Sequence, residues 1–548
     1  MPVDQFLQRV DLPRLGAGVG LLVLLAFYSP VSLLVLSPVY GSVPAHIFHS
    51  YGVAIFAGAG WFLKDQVQRR IGRLAGYLLP VLAFWIPTLQ YFVMQQSSLL
   101  GNPAGPAVTE LFGYYPLVFL TVAVAGKQIQ ASLHLEAQGD LVAEHVPLLG
   151  SYFIYSIGEH FAKAFVSRAI GFTFLFTRTG MQFLIAAGYA ALVPSKLLLL
   201  ALPSLLFTMT SNVHIGGISA VNSVLNTEGY SLLARQDSYT GYISVLENHQ
   251  DGFRVMRCDH SLLGGQWTKM VPGYRPEVED PIYAVFAMLE AVRLVEPEHA
   301  ASRVDAASKA LVIGLGIGTT PAALMKHGVD TTIVELDPVV YKFATQYFNL
   351  PSNHIAAIED ATKFVKRAQS KAQKYDYIVH DVFTGGAEPA ELFTFEFLEE
   401  LNSLLRDDGV IAINYAGDLT LYPSGLIVRT IRSVFPSCRI FREEAPGGPD
   451  AENPNFTNMV LFCKKSTRTP LRFREPVEAD FLRSKSRESY LVPKHELDPD
   501  MFAAVPKGGR ALLVQKEVGR LYKFHDRGAL EHWAIMRKVL PHAVWENW

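Results

Sequence analysis

An α-helical membrane bundle of about six to eight spans, followed by α/β structure, is the architecture this sequence predicts. The α/β half is expected to hold a small β domain and a Rossmann-like, doubly wound, mostly parallel sheet. Long apolar runs dominate residues 1–215, alternating apolar and polar residues fill 230–280, and from 281 onward apolar strand-length runs alternate with helical segments. A charged extension over 466–548 completes a division into 1–215, 230–280, 281–465 and 466–548.

Residues 16–37 carry no charged side chain and are long enough to cross a bilayer of ~30 Å, even with Pro30 inside. The run is too long for a signal-peptide core and lacks a small-residue cleavage site. Further spans are expected near 44–63, 74–95, 108–126, 148–166, 169–194 and 196–212. Lys64, Arg69, Arg70 and Arg73 follow the second span, whereas 38–50 and 95–110 contain no Lys or Arg, so the basic loop is assigned to the cytoplasm. Arg9 and Arg14 place the N-terminus on the same side. An even number of crossings then gives a cytoplasmic C-terminal half, and an odd number breaks that assignment; which membrane is involved is open. Glu159, His160, Lys163, Arg168 and Arg178 interrupt the apolar pattern, either as a polar pocket or as residues snorkelling from helix ends. Without a repeat or broken-helix symmetry, snorkelling is the favoured reading.

Cys258, Cys438 and Cys463 are scattered, odd in number and without CxxC spacing, so neither a disulfide framework nor a zinc site is expected. A net charge of −2 and the lack of a long basic run argue against a nucleic-acid partner. In the small β domain, Tyr242-Ile-Ser-Val-Leu and Phe253-Arg-Val-Met-Arg-Cys alternate, with Asn248, Gly252 and Gly264-Gly265 as breaks. A helix over Tyr283–Leu294 follows, then strands near 310–313, 331–335, 354–358, 375–380 and 410–415. Cys438–Phe441 and Met459–Cys463 read as an antiparallel pair closing one edge. The extension suggests a strand at Ala511–Gln515 and a helix at Ala529–Val539.

Ala310-Leu-Val-Ile-Gly-Leu-Gly-Ile-Gly-Thr-Thr reads as a strand, a glycine turn and a helix start. Gly314, Gly316 and Gly318 omit the Cβ atoms that would block a ligand, and the helix N-terminus offers unpaired N–H groups. Glu335 lies about 20 residues on, where a carboxylate accepts both ribose hydroxyls of a nucleoside. Ligands of such sheets lie over the strands' carboxyl ends, and there stand Gly314, Glu335, Glu359-Asp360 and Asp381. For Asp360 a helix N-cap on the segment from Ala361 is an equal and compatible reading. An amine with a pKa of ~10 cannot attack until a carboxylate holds it and takes a proton, which Asp381 is placed to do.

Residues 235–465 resemble the spermidine/spermine synthase family of polyamine aminopropyltransferases, which share the class I S-adenosylmethionine methyltransferase fold. The resemblance rests on Tyr375-Asp-Tyr-Ile-Val-His-Asp381, the loop after it, Glu391-Leu-Phe-Thr394, Val334-Glu335-Leu-Asp337-Pro338 and Glu359-Asp360. It implies that Glu335 binds ribose, Asp360 the adenine amino group, and Asp381 the proton of the attacking amine. The co-substrate it implies is S-adenosylmethionine or its decarboxylated form, with no metal.

Two departures bear on chemistry. Ile317 stands where the family has the Asp that holds the donor's aminopropyl amine, and Thr384 replaces the second Asp of the loop after strand four. Loss of the first Asp removes a repulsion against the carboxylate of intact S-adenosylmethionine. The family's Gln before its entry strand appears as Gly241, and the His-Glu after Tyr283 as Ala284-Val285; Tyr283 and Thr384 remain the acceptor-side candidates. The leading expectation is a membrane-anchored aminopropyltransferase-like enzyme acting on an amine. The alternative is a methyltransferase with an amine or membrane-soluble acceptor, favoured by Ile317 and Thr384; a second alternative is an inactive nucleoside-binding module. Expected partners are a small-molecule acceptor and the lipid bilayer, with homodimerisation left open.

Overall fold

The computed structural model describes residues 10–298, 303–382, 389–445 and 456–548. They fall into two compact units, Met1–Glu228 with Gln236–Tyr242 and Arg537–Trp548, and Gly229–Arg235 with Ile243–Met536.

The first unit is helical. Its main helices are Leu12–Tyr40, His49–Ile71, Arg73–Met94, Tyr114–Leu133, Asp140–Ala169 and Arg178–Leu192, followed by an apolar helical stretch over Lys196–Thr210. Asp11 opens the first by accepting from the Arg14 amide, with Pro13 fitting the first turn where no N–H partner is needed. Among the described residues Leu12–Tyr40, Arg73–Met94 and Tyr114–Leu133 are long and apolar enough to cross a membrane. Leu25, Tyr28, Leu79, Tyr114 and Leu117 fill the interior, yet Phe62, Phe153, Phe161, Leu199 and Met209 are exposed on the outside. The run expected over 169–194 starts its helix only at Arg178, because Gly171 takes a positive φ and the chain turns before it.

The charges that interrupt the apolar pattern divide. Arg178 is wholly buried, pairs with Asp237 and donates from Nε to the Leu34 carbonyl at 2.8 Å. Glu159 accepts from Ser29 at 2.7 Å, and Ser29 meets His49, whose other ring nitrogen lies 2.7 Å from Glu110. His160, Lys163 and Arg168 are exposed, with Lys163 paired to Glu159 at 3.4 Å, whereas Arg178 is held by partners inside the unit.

Next along the chain come β1 (Tyr230–Asp237), β2 (Tyr242–Asn248), β3 (Phe253–Cys258) and β4 (Ser261–Trp267), a four-stranded sheet in that order. Next comes the helix Ala284–Leu289, tightening to a 3₁₀ turn over Glu290–Leu294. The large sheet contains β5 (Lys309–Ile313), β6 (Asp330–Glu335), β7 (Ile355–Ile358), β8 (Tyr375–His380), β9 (Leu405–Asp418), β10 (Ser437–Arg442), β11 (Phe456–Lys464) and β12 (His495–Leu497). Their order is β12-β10-β11-β9-β8-β5-β6-β7, parallel from β9 to β7 and antiparallel beyond β9. The chain leaves β5 toward β6 on one side and reaches β8 on the other, so a crevice opens at β5/β8, where such sheets bind ligands.

Two expectations are corrected. Ala511–Gln515 forms no strand; Leu513 is buried, its amide donating to Thr430 Oγ1 and its carbonyl accepting from Phe395, so the segment is pinned to helices. β12 holds the sheet edge instead, and the last long helix runs over Val518–Val539. Cys438 and Cys463 form a disulfide across β10 and β11, where they are direct partners in the register. Linear spacing gave no sign of it, because only strand pairing brings the two sulfurs together.

Candidate active site

The turn after β5 puts Gly314, Gly316 and Gly318 all at positive φ, ahead of the helix Thr319–Lys326. At Gly314 a Cβ would collide with the Asp381 carbonyl, and at Gly316 with the Leu263 carbonyl, so neither position tolerates a side chain. Backbone bonds fix the same junction: the Gly314 amide donates to Val334 O at 2.9 Å and the Asp381 amide to Ile313 O at 2.8 Å.

Glu335 ends β6 almost fully buried. Its Oε2 accepts from the Leu315 amide at 2.9 Å and its Oε1 from the Asp337 amide at 2.8 Å, which ties the acid to the glycine turn. Burial pushes its pKa up to about 7, against the pull of those two amides. Asp360 does what the capping reading expects: Oδ1 accepts from the Thr362 amide and hydroxyl at 2.7 and 2.6 Å, at the start of the helix Ala361–Ser370.

Asp381 is half-buried at the end of β8, and desolvation raises its pKa to about 6 although a bond from Asn414 opposes the rise. Asn414 Nδ2 donates to Asp381 Oδ1 at 2.8 Å, and Asn414 Oδ1 is buried with no partner among the described residues. Sequence reading missed Asn414, since its neighbours on β9 are apolar and only the parallel β8–β9 register sets it beside Asp381. Tyr283 is half-buried beside Glu443, its hydroxyl also unpartnered among the described residues. Thr384 lies outside the described residues.

Ile317 is 5% exposed and sits in a core with Ile243, Val245, Met256 and Phe343. A Cβ on Gly264 of β4 would press on it. The position that carries a charge in the aminopropyltransferases is thus part of an apolar joint between the two sheets.

Residues 298–443 match the spermine/spermidine synthase domain. A polyamine aminopropyltransferase of Vibrio vulnificus is 41% identical over 129 residues, 23% of this chain and 42% of that protein. A probable spermidine synthase structure from Corynebacterium glutamicum is 15% identical, covering 50% of this chain and 92% of its own, with a TM-score of 0.38. A protein of Emericella nidulans called N-terminal histidine N-methyltransferase is 63% identical over 559 residues, the full length of both chains. This chain belongs to that enzyme's family.

It is a transferase. Membership covers the helical half as well as the α/β half, whereas sequence matches to polyamine aminopropyltransferases such as those of Vibrio vulnificus and Pyrobaculum calidifontis cover 23% and 31% of the chain. The leading expectation of aminopropyl transfer in polyamine synthesis therefore yields to its alternative, methyl transfer, which fits Ile317. Among the described residues no group of His, Cys, Asp or Glu is arranged to hold a metal.

Proposed function

We propose that this protein transfers the methyl group of S-adenosylmethionine to a nitrogen of an N-terminal histidine. The observation that carries this is full-length identity to an enzyme of that name, with a base and a nucleoside pocket meeting at the β5/β8 crevice. Glu335 holds the ribose hydroxyls, Asp360 the adenine amino group through its uncapped oxygen, and the backbone of Gly314–Gly318 lies under the donor. The substrate nitrogen's lone pair attacks the methyl carbon, an N–C bond forms as the S–C bond breaks, and S-adenosylhomocysteine leaves. Asp381 accepts the proton that the alkylated group gives up; with a pKa of about 6 it is ionised at neutral pH.

The test is incubation of the purified full chain with S-adenosylmethionine and two peptides, one beginning with His and one carrying the His second. Addition of one methyl to the first alone supports the proposal, and equal or no labelling rejects it.

Membrane attachment belongs to the same reading, supported by the three long apolar helices and the exposed aromatic residues of the first unit. Counted as crossings, 12–40, 49–71, 73–94, 114–133, 140–169, 178–192 and 196–210 make an odd number. With Arg9 and Arg14 cytoplasmic, an odd count carries the α/β half out of the cytoplasm, where a disulfide such as Cys438–Cys463 persists. Glycosylation of an acceptor site engineered into the C-terminal extension checks this, and an unmodified tag returns the domain to the cytoplasm.

A further inference from the structure

The register of β8, β9, β11 and β10 aligns four polar residues on one face of the sheet. Asp381 follows His380, the partner of Ile413, and so stands beside Asn414. Asn414 is opposite Val460, and two residues on Ala416 is opposite Asn458. The Glu443 amide donates to the Asn458 carbonyl at 3.0 Å, continuing the β10–β11 ladder by one residue. Residues opposite one another or two apart share a face, so Asp381, Asn414, Asn458 and Glu443 form a row across the strands' ends. That face is the one covered by the helix Ala284–Leu289, whose Val285 and Met288 pack with Val379, Ala412 and Val460, with Tyr283 against the same core.

The row has two ends. At one, Asn414 Nδ2 orients Asp381 while its own buried Oδ1 stays without a partner among the described residues. At the other, Glu443 accepts from the Val285 amide at 2.9 Å and from Asn458 Nδ2 at 2.6 Å, beside the Tyr283 hydroxyl, which has no partner among the described residues. Asp381, Asn458, Glu443 and Tyr283 are all half-buried, open enough for a ligand to reach. An unpaired carbonyl, an unpaired hydroxyl and two carboxylates all accept hydrogen bonds, so the row suits a ligand with donors at both ends.

We propose that this row is a two-point acceptor site, in which Asp381 and Asn414 receive the nitrogen to be methylated while Glu443 and Tyr283 receive a second, cationic nitrogen of the same substrate. The inference rests on the methyltransferase reading and deepens it: an N-terminal histidine carries an imidazole and an α-ammonium on one residue, whereas an internal or Nα-acetylated histidine lacks the cation. Glu443 is then a specificity-determining residue that demands a free chain terminus. Strand spacing of ~4.8 Å puts the β8 and β10 backbones about 14 Å apart. Asn414 on β9 and the Glu443 carboxylate, drawn to Asn458 on β11, bring the two ends to adjacent strands, a gap for a two-nitrogen compound rather than a single amine.

The experiment is calorimetry on the full chain in detergent, loaded with S-adenosylhomocysteine and titrated with a His-initiated peptide and its Nα-acetylated form. The wild type is expected to bind the free-amine peptide about tenfold or more tightly, the effect of one charge-assisted hydrogen bond. E443Q keeps an acceptor for the Val285 amide and is expected to collapse that ratio toward unity; Y283F is expected to reduce it less. Equal binding of both peptides by the wild type, or a ratio that survives in E443Q, overturns the two-point site. Binding needs no turnover: a wild type that shows the preference yet never methylates the peptide keeps the site and rejects the proposed function instead.

Discussion

Lowering the pH from 8 to 6 should weaken S-adenosylmethionine binding about tenfold through Glu335 alone. With its pKa raised to about 7, this carboxyl is about ten-elevenths ionised at pH 8 and about one-eleventh at pH 6. Only the ionised form offers every lone pair to the Leu315 and Asp337 amides and the two ribose hydroxyls; the protonated form turns one oxygen into a donor. The same shift fixes the sign for stability. Between its ordinary value of 4.5 and about 7, Glu335 binds more protons folded than unfolded, so the ligand-free protein loses stability as pH rises through that window. Bound donor favours the ionised form and offsets the loss. Calorimetric titration of the full chain at pH 6, 7 and 8 reads the affinity, and Glu335→Gln subtracts any titration of the donor itself. An amide presents one acceptor where the carboxylate presents two, so the variant should also lose one backbone bond, about 1.5–3 kcal/mol, visible as a lower Tm. A wild-type affinity flat from pH 6 to 8, or a slope that persists in Glu335→Gln, would show that this carboxylate does not touch the ribose.

Asp381→Asn should leave donor affinity intact and cut methyl transfer by about 10²–10⁴, measured as single-turnover rate. Asn414→Leu removes the bond that holds the Asp381 pKa down, so the rising limb of the wild-type pH–rate profile, near pH 6, should move to higher pH. Ile317→Asp sets a carboxylate in the apolar joint against the donor's own and should shift preference toward decarboxylated S-adenosylmethionine by tenfold or more in competition binding. Cys438→Ser with Cys463→Ser frees a chain separation of 25 residues and should lower stability by about 3 kcal/mol, read from thermal melts in parallel with the reduced wild type.

What was legible in the sequence was local. The glycine turn, Glu335 and Asp360 each stand where a strand stops and a helix starts, and periodicity marks such junctions without tertiary information. The antiparallel pair β10–β11 was visible as two apolar runs for the same reason. Asn414, Glu443 and the disulfide depend on register between strands distant in sequence, and one residue of slip would turn each to the other face. Leu513 shows the converse, because an apolar run looks like a strand whether it pairs with a sheet or lies across helices. The buried ion pair of Arg178 could not be foreseen either, since its partner Asp237 is 59 residues away.

The abutment of Gly314 on the Asp381 carbonyl makes the reaction's outcome a matter of orientation. A sulfonium sulfur bears three carbons, and a nucleophile seated at Asp381 takes whichever one is turned toward it. In the proposed complex, with the nucleoside end at Glu335 and Asp381 fixed against the turn, the remaining freedom is rotation of the donor about its sulfur, which its amino-acid tail controls. Ile317 offers that tail no charge to grip. On this frame, a single position beside the turn can decide which bond to sulfur breaks while the base and the ribose anchor stay as they are.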